Sequence, residues 1–379
     1  MVREVFSRDS QRDTKQPYTR SRYYHLYLNG MYWGLFQTQE RSEARYAADY
    51  FGDNREDYDV VKVNTENWNY QIEATDGNLD AWQLLWDKCN TGFQDNASYF
   101  DIIGKDANGK PKKGSQVLVD IDNLIDYMIG IFYTGNFDSP TSSFGQNNGP
   151  NNFYTIFNRN DKSKGFTYYN HDAEHALFYY SAPPGIGIDE NRVNIGFTDN
   201  MRMYISNFKM FNPQWLHFKL ATNEEFRILM ADRIYKFFFN NGTLIPDKAA
   251  ELFLSRAQEI EMAIIGESAR WGDAYHEPAR TKDDDWLFAV NDIVDNYFPY
   301  RTDIVLDQLK EVDWYPDFQP PVYLHNNNQI PDDVIKTDSV INIEIKNPGE
   351  SGFIYYATNG DDPRAIGGGI SESSVESIN

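Results

Sequence analysis

An Asn-Gly pair at positions 29 and 30, set between two aromatic-rich runs, constrains this chain more than any other feature. Residues 23–28 (Tyr-Tyr-His-Leu-Tyr-Leu) and 31–36 (Met-Tyr-Trp-Gly-Leu-Phe) flank it. Asn-Gly accepts the positive φ angles of a type I′ turn, so the two runs fold back on each other as a β-hairpin. Residues 58–63 and 166–169 read as further strands. From Pro213 the pattern changes: 215–221, 224–239 and 246–265 place apolar residues three and four apart, and Asn240-Asn241-Gly242 separates the second run from the third. The chain is thus expected to hold both strands and helices.

The remaining segments fill in around this frame. A helix is expected over 2–15, with Val2, Val5 and Phe6 on its inner face and Arg8, Asp9, Arg12 and Asp13 in solvent. Residues 43–50 and 79–89 read as helices, the second turning Trp82, Leu85 and Trp86 inward, while 95–114 reads as a polar surface excursion with one short helical piece. Asp122 is placed to cap an apolar core helix over 124–133. Residues 139–150 and 181–200 are loops, and Phe237-Phe238-Phe239 belongs to the core. A helix over 285–309 is interrupted at Pro299, and Arg270 pairs with Glu267 one turn away before Gly272 ends the preceding helix. Beyond Pro316, Pro320-Pro321 reads as a linker and 340–345 alternates as a half-buried strand, which divides the chain into residues 1–317 and 318–379.

Composition settles several classes of function. A chain of 379 residues can bury a large core. Its net charge of −22, spread along the whole length, repels a nucleic-acid backbone and excludes DNA and RNA as partners. The single cysteine, Cys89, cannot form an intramolecular disulfide or a site of several thiolates. No apolar run approaches the roughly 18 residues of a membrane span. The charged opening and the Gly- and Ser-rich close read as those of a fragment, whose leader would lie upstream.

Chemistry concentrates between Thr134 and His175. Asp138 follows the apolar helix, Asn151-Asn152 sits in the loop beyond it, and Asp172 lies just past the strand 166–169, where a sheet edge can open to a cleft. Helix then Asp, loop with Asn, strand then Asp is the order in which protein kinases hold magnesium and orient an acceptor hydroxyl. Magnesium takes oxygen ligands and keeps several waters, so one carboxylate, one amide oxygen and substrate phosphates suffice. Two other readings stay open. Each aspartate by itself suits a loop cap, and His171-Asp172-Ala173-Glu174-His175 holds residue types that suit zinc or iron.

The hairpin with Glu40, together with Gly135-Asn136-Phe137-Asp138, Asn151-Asn152-Phe153-Tyr154 and His171-Asp172, resembles the spore-coat protein H (CotH) kinase family over roughly residues 3–310. The tail from Gly352 to Arg364 resembles the opening of a chitobiase/β-hexosaminidase C-terminal type β-sandwich. The first resemblance implies an α+β, kinase-like bilobal fold with a reduced small lobe and a mainly helical large lobe. It also implies ATP- and Mg2+-dependent transfer of phosphate, with Mn2+ as the alternative metal, to a Ser or Thr hydroxyl of a protein substrate outside the cytoplasm. Asp138 then resembles the catalytic-loop aspartate, Asn152 or its neighbour Asn151 the metal-holding amide, and Asp172 the metal-binding aspartate.

Glu40 and Arg41 fall at the hinge, where backbone groups meet adenine, unless they are an ordinary strand end. The helix 2–15 falls where a kinase places its regulatory helix, and the phosphate-binding lysine and loop that precede that helix in kinases have no counterpart; Lys62 is the strand lysine nearby that could substitute. Phe178 to Tyr180 would line an acceptor groove. The missing small-lobe strands also admit a non-catalytic secreted or cell-surface module, tethered by its β-sandwich to polysaccharide or to a larger multidomain chain. A metal-dependent hydrolase using the same carboxylates ranks last.

Overall fold

In the computed structural model, which describes residues 1–179, 186–330, 336–349 and 352–376, Asn29 and Gly30 turn with φ of 51° and 81°. They join β1 (Ser21–Leu28) to β2 (Met31–Gln39) as an antiparallel hairpin. The other strands of the first 317 residues are β3 (Tyr58–Asn64), β4 (Gln71–Asp76), β5 (Phe153–Asn158) and β6 (Thr167–Asn170). The helices are α1 (Val2–Asp13), α2 (Ala44–Phe51), α3 (Asp80–Thr91), α4 (Asn96–Ile102), α5 (Ile121–Thr134), α6 (Arg202–Ser206), α7 (Pro213–Leu220), α8 (Glu224–Phe238), α9 (Pro246–Trp271), α10 (Leu287–Asp292) and α11 (Phe298–Lys310). The chain is α+β.

The hairpin is a sheet of its own, and the C-terminal part of α9 closes the outer edge of β2. Glu267 accepts the Leu35 N–H at 2.6 Å, the Trp271 indole N–H donates to the Trp33 carbonyl at 2.6 Å, and Arg270 donates to the Tyr32 carbonyl at 3.3 Å. Glu267 and Arg270 therefore reach the strand instead of pairing with each other, because half-buried edge amides need partners more than two solvated charges do. Gly34 permits the approach: a Cβ there would lie 3.0 Å from Glu267 Oε2.

A second sheet, ordered β4-β3-β5-β6 and antiparallel throughout, carries the loops that matter for function. The outer edge of β6 is closed by side-chain amides. Gln11 of α1 donates to the Tyr168 carbonyl at 2.6 Å and accepts from the Asn170 N–H at 3.1 Å, and Asn123 of α5 accepts the Tyr168 N–H at 2.6 Å. A primary amide presents one donor and one acceptor side by side, as a neighbouring strand would. Helices α1 and α5 are thereby locked to the strand that ends just before Asp172. Between this sheet and α7, α8, α9 and α11 lies one continuous core that includes Trp82, Leu124, Met128, Phe132, Trp215 and Phe298.

Several expectations are corrected by burial that sequence periodicity does not report. Arg8 and Asp9, expected in solvent, are each 1% exposed. Arg8 bonds Glu4 and Thr19, and Asp9 accepts from Arg256 of α9 at 2.6 Å, so both charges are paired inside. The cap of α5 is Asp120, which accepts the Asn123 N–H at 3.1 Å; Asp122 lies within the first turn, 3.1 Å from Arg233. The polar stretch 95–114 anchors itself with Tyr99, Phe100 and Ile102, all buried. Pro299 does not interrupt a helix but opens α11, after the π-helical turn Ile293–Tyr297.

Strands β4 and β5 went unread in the sequence, while α9 ends at Trp271 with Gly272 as its cap, as expected. In the C-terminal residues, β7 (Val322–His325), β8 (Asn328–Gln329) and β9 (Glu344–Lys346) form a three-stranded sheet, with β10 (Tyr355–Tyr356) paired to β11 (Val375–Glu376). The alternation over 340–345 yields a strand only from Glu344, since Val340 stands 99% exposed. Among the described residues, no helix is long and apolar enough to cross a membrane.

Candidate functional site

Asp138 owes its place to the way α5 stops. Gly135 takes the left-handed conformation, φ 58°, and the N–H groups of Gly135 and Asn136 return to the carbonyls of Phe132 and Ile131, a helix-ending geometry that glycine adopts without a Cβ penalty. The last carbonyls of α5 also meet a buried cation. Arg301 of α11 is fully buried and donates to the carbonyls of Phe132, Tyr133, Ile188 and Glu190, while the Tyr297 hydroxyl donates to Tyr133 at 2.8 Å. A positive charge at a helix C-terminus is favoured by the helix dipole. The chain leaving α5 is thus held rigidly where it turns toward Asp138.

The Asp138 carboxylate is 7% exposed and wired on both oxygens. Oδ1 accepts from the Ser142 hydroxyl and from Asn151 Nδ2 at 3.0 Å, and Oδ2 accepts from Asn152 Nδ2 at 3.0 Å. Ser139 bonds the Asn152 carbonyl at 2.7 Å, and Asn151 N–H bonds the Pro140 carbonyl at 2.9 Å, so the loop 139–150 closes on itself. Arg192, 1% exposed, braces that loop from behind through the Thr141 carbonyl, Ser143 and Asn147. The structure brings Asp138 and Asn152 into direct contact.

Asp172 follows β6 in a left-handed conformation, φ 50°, and Asn152 has φ 47°; Asp and Asn tolerate that region better than other residues with a side chain. The Phe137 N–H bonds the His175 carbonyl at 3.2 Å and the Leu177 N–H bonds the Thr134 carbonyl at 2.8 Å, which ties the segment after Asp172 to the end of α5. Asp172 is pushed up to about 6, first by partial burial and then by the carboxylates of Glu174, Glu4 and Asp138, although its side chain still opens to solvent and the push is screened accordingly. Asp138 therefore stands within electrostatic reach of Asp172.

A contrasting set of charges acts on His171. That imidazole, packed edge-on to Tyr154 at 4.8 Å, is pushed down to about 4 by burial and then by Arg8, with Arg41 and Lys62 adding to the effect against Glu4. Arg41 and Lys62 therefore stand within electrostatic reach of the segment that carries Asp172. Each also has a carboxylate partner, Glu43 for Arg41 and Glu73 for Lys62, both at 3.5 Å. Glu40 is not part of this group: its carboxylate takes the Arg20 N–H at 2.8 Å and the Tyr50 hydroxyl at 2.5 Å.

Sequence reasoning passed over Glu4. From α1 its carboxylate bonds Arg8 at 2.5 Å and accepts the N–H of Ala173, the residue after Asp172. The only hint in the sequence was the Glu4-Arg8 spacing of one helical turn on a helix with apolar residues between. Arg192 and Arg301 gave no local signal, since Thr141, Ser143 and Phe132 lie far from them along the chain, and Ser142, four positions from Asp138, sits in a loop with no periodicity to read.

Aromatic rings gather beside Asp138. Phe137 packs against His175 at 5.1 Å and Phe178 at 5.7 Å, Phe144 stands 59% exposed beside them, and Arg3 covers Phe178 at 4.0 Å. Tyr180 lies outside the described residues. Among the described residues no three His, Cys, Asp or Glu side chains are grouped to hold a metal, so the zinc or iron reading of His171 and His175 finds no third ligand. A cation here would draw on amide and substrate oxygens beside Asp172, and Asn151 Oδ1 is buried without a hydrogen-bond partner.

The chain is α+β, with a wired aspartate after a core helix, an Asn pair bonded to it and a second aspartate after the adjoining strand. More particularly, the family model described as CotH kinase protein matches residues 1–292, and the chain belongs to that family. No curated protein matches the chain.

Proposed function

We propose that this protein transfers the γ-phosphate of ATP to a Ser or Thr hydroxyl of a protein substrate, with Mg2+ or Mn2+ as the metal. The observation that supports this most is the Asp138 carboxylate, held on both oxygens by Ser142, Asn151 and Asn152 beside the electronegative Asp172. A fixed carboxylate next to an acceptor hydroxyl takes its proton as the oxygen attacks phosphorus, and rigid wiring keeps it in line. Asp172 and an amide oxygen of Asn152 or Asn151 would hold the metal, which neutralises charge on the phosphates. Arg41 and Lys62, near His171, are the cations on this side that could meet the remaining phosphate charge, and the backbone at Glu40 and Arg41 would meet the adenine. The kinase-like bilobal arrangement, a second unit at residues 318–379 and a location outside the cytoplasm are part of the same proposal.

The test is calorimetric titration of the chain with ATP, with and without Mg2+, at pH 5 and pH 7. Metal-dependent binding should strengthen toward pH 7 as Asp172, held near 6, loses its proton. Asp172→Asn should remove that binding, while Asp138→Asn should keep it and slow transfer to a protein hydroxyl by about 10²–10⁴-fold. Normal Mg-ATP binding by Asp172→Asn would refute the metal assignment, and no nucleotide binding by the parent chain would favour the non-catalytic module.

A further inference from the structure

Away from Asp138 and Asp172, the hairpin leaves one edge open among the described residues. Strand β1 pairs with β2 alone, and among the described residues no strand lies along its other side. Leu35 gives its N–H to Glu267, so its register partner His25 belongs to a non-hydrogen-bonded pair. Antiparallel ladders alternate such pairs, which points the backbone groups of Ser21, Tyr23 and His25 away from β2.

A cavity of about 400 Å³ runs along this edge, lined by Arg20, Ser21, Arg22 and Tyr23 on the strand side and by Arg256 and Glu259 of α9 opposite. Ser21 is 5% exposed, and its buried hydroxyl, like that of Tyr23, bonds to nothing. The lining holds three arginines and one carboxylate in a chain whose net charge is −22. Arg20 lies 3.6 Å from Glu40, and Arg256 is held by Asp9 at 2.6 Å and Glu259 at 2.8 Å. Arg22 is exposed and pairs with no carboxylate among the described residues. On the hairpin face that Arg22 shares, Tyr24 and Phe36 sit directly opposite each other, 49% and 43% exposed.

We propose that this groove takes an extended, carboxylate-bearing segment of a partner protein as an added strand on β1. Free backbone groups of an edge strand supply the main-chain bonds of such an addition, and side chains at alternate positions supply the choice of partner. Acidic residues at every second position face Arg20 and Arg22. The aliphatic stems of those residues lie against Tyr24, and their β-branched neighbours turn to the face of Ser21 and Tyr23. The same charges that draw an acidic strand reject a basic one.

The experiment uses the whole chain and a fluorescent peptide that alternates glutamate with valine or threonine, read by anisotropy at low and moderate salt. Three comparisons decide it: the same peptide with lysine for glutamate, the glutamate peptide N-methylated on alternate amides, and the Arg22→Glu protein with its circular dichroism unchanged. Binding of the glutamate peptide that falls at least tenfold in each comparison supports strand addition. Equal binding after N-methylation, no preference for glutamate over lysine, or no binding at millimolar peptide overturns it. So does a dimer seen by sedimentation that the peptide fails to displace and Arg22→Glu dissolves, since the groove would then be filled by a second copy.

Discussion

Asp138 and His217 both lie beside helix α5, and the molecule buries their polar atoms under opposite rules. The Asp138 carboxylate has Ser142, Asn151 and Asn152 on its oxygens. His217, 1% exposed, sits among Phe132, Phe226 and Trp314 with neither ring nitrogen hydrogen-bonded. A charge can be kept in a protein interior only if donors surround it, whereas a titratable ring can be kept by giving up its charge. Burial pushes His217 down from 6.5 to about 3, so the ring stays neutral. The Asp138 network holds a carboxylate in one geometry; the aromatic cage is organised only to pack.

The largest effect that would sharpen this contrast comes from the support beneath Asp138. Arg301→Ala removes the cation at the C-terminus of α5 and strips four carbonyls, two of them fully buried, of a donor; chemical denaturation should show a loss of about 3–5 kcal/mol. A loss below about 1 kcal/mol would mean that the loop leaving α5 is held by something else.

Next in size is Asp138→Ala, which leaves the hydroxyl of Ser142 and two amide groups facing a void. We expect about 2–4 kcal/mol of destabilisation in the same assay. Unchanged stability would show that the three donors find other partners easily, and that the wiring is not specific to a carboxylate.

The cage should respond with the opposite sign. His217→Phe removes two unsatisfied nitrogens among apolar rings and should stabilise by about 1 kcal/mol at neutral pH. It should also flatten the acid limb of stability. The unfolded chain takes up a proton on His217 near 6.5 and the folded one only near 3, so the parent loses stability as pH falls through that window, by up to about 1.4 kcal/mol per unit. If parent and variant melt in parallel from pH 6.5 down to 4, the ring is not buried neutral as described.

How far sequence alone could see differs between these regions. The hairpin, α1, α2, α3 and the helices from α7 to α9 announce themselves, because turn chemistry and apolar spacing are local. Asp138, Asn152 and Asp172 also stood out, since polar residues framed by aromatics at the ends of a helix and a strand are unusual. Their braces did not. Glu4 reaches Ala173 across 169 positions and Arg301 reaches Phe132 across 169 as well, and such separations leave no periodic trace. Arg8 and Asp9 misled for the same reason: a charged residue reads as solvated unless its partner is known, and Arg256 lies 247 positions from Asp9. Glu267 and Arg270 had a plausible partner in each other, and only the nearness of β2 shows why they part.

By itself the sequence determined the elements and the residues that carry chemistry, because each depends on a few neighbours along the chain. Tertiary structure alone decided that β6 would be edged by Gln11 and Asn123, that Asp138 would be gripped on both oxygens, and that β1 would keep an open side lined by arginines. Those outcomes depend on which distant segments share a surface, and the free energy of hydrogen-bonding a buried donor or charge is settled only when its partner arrives.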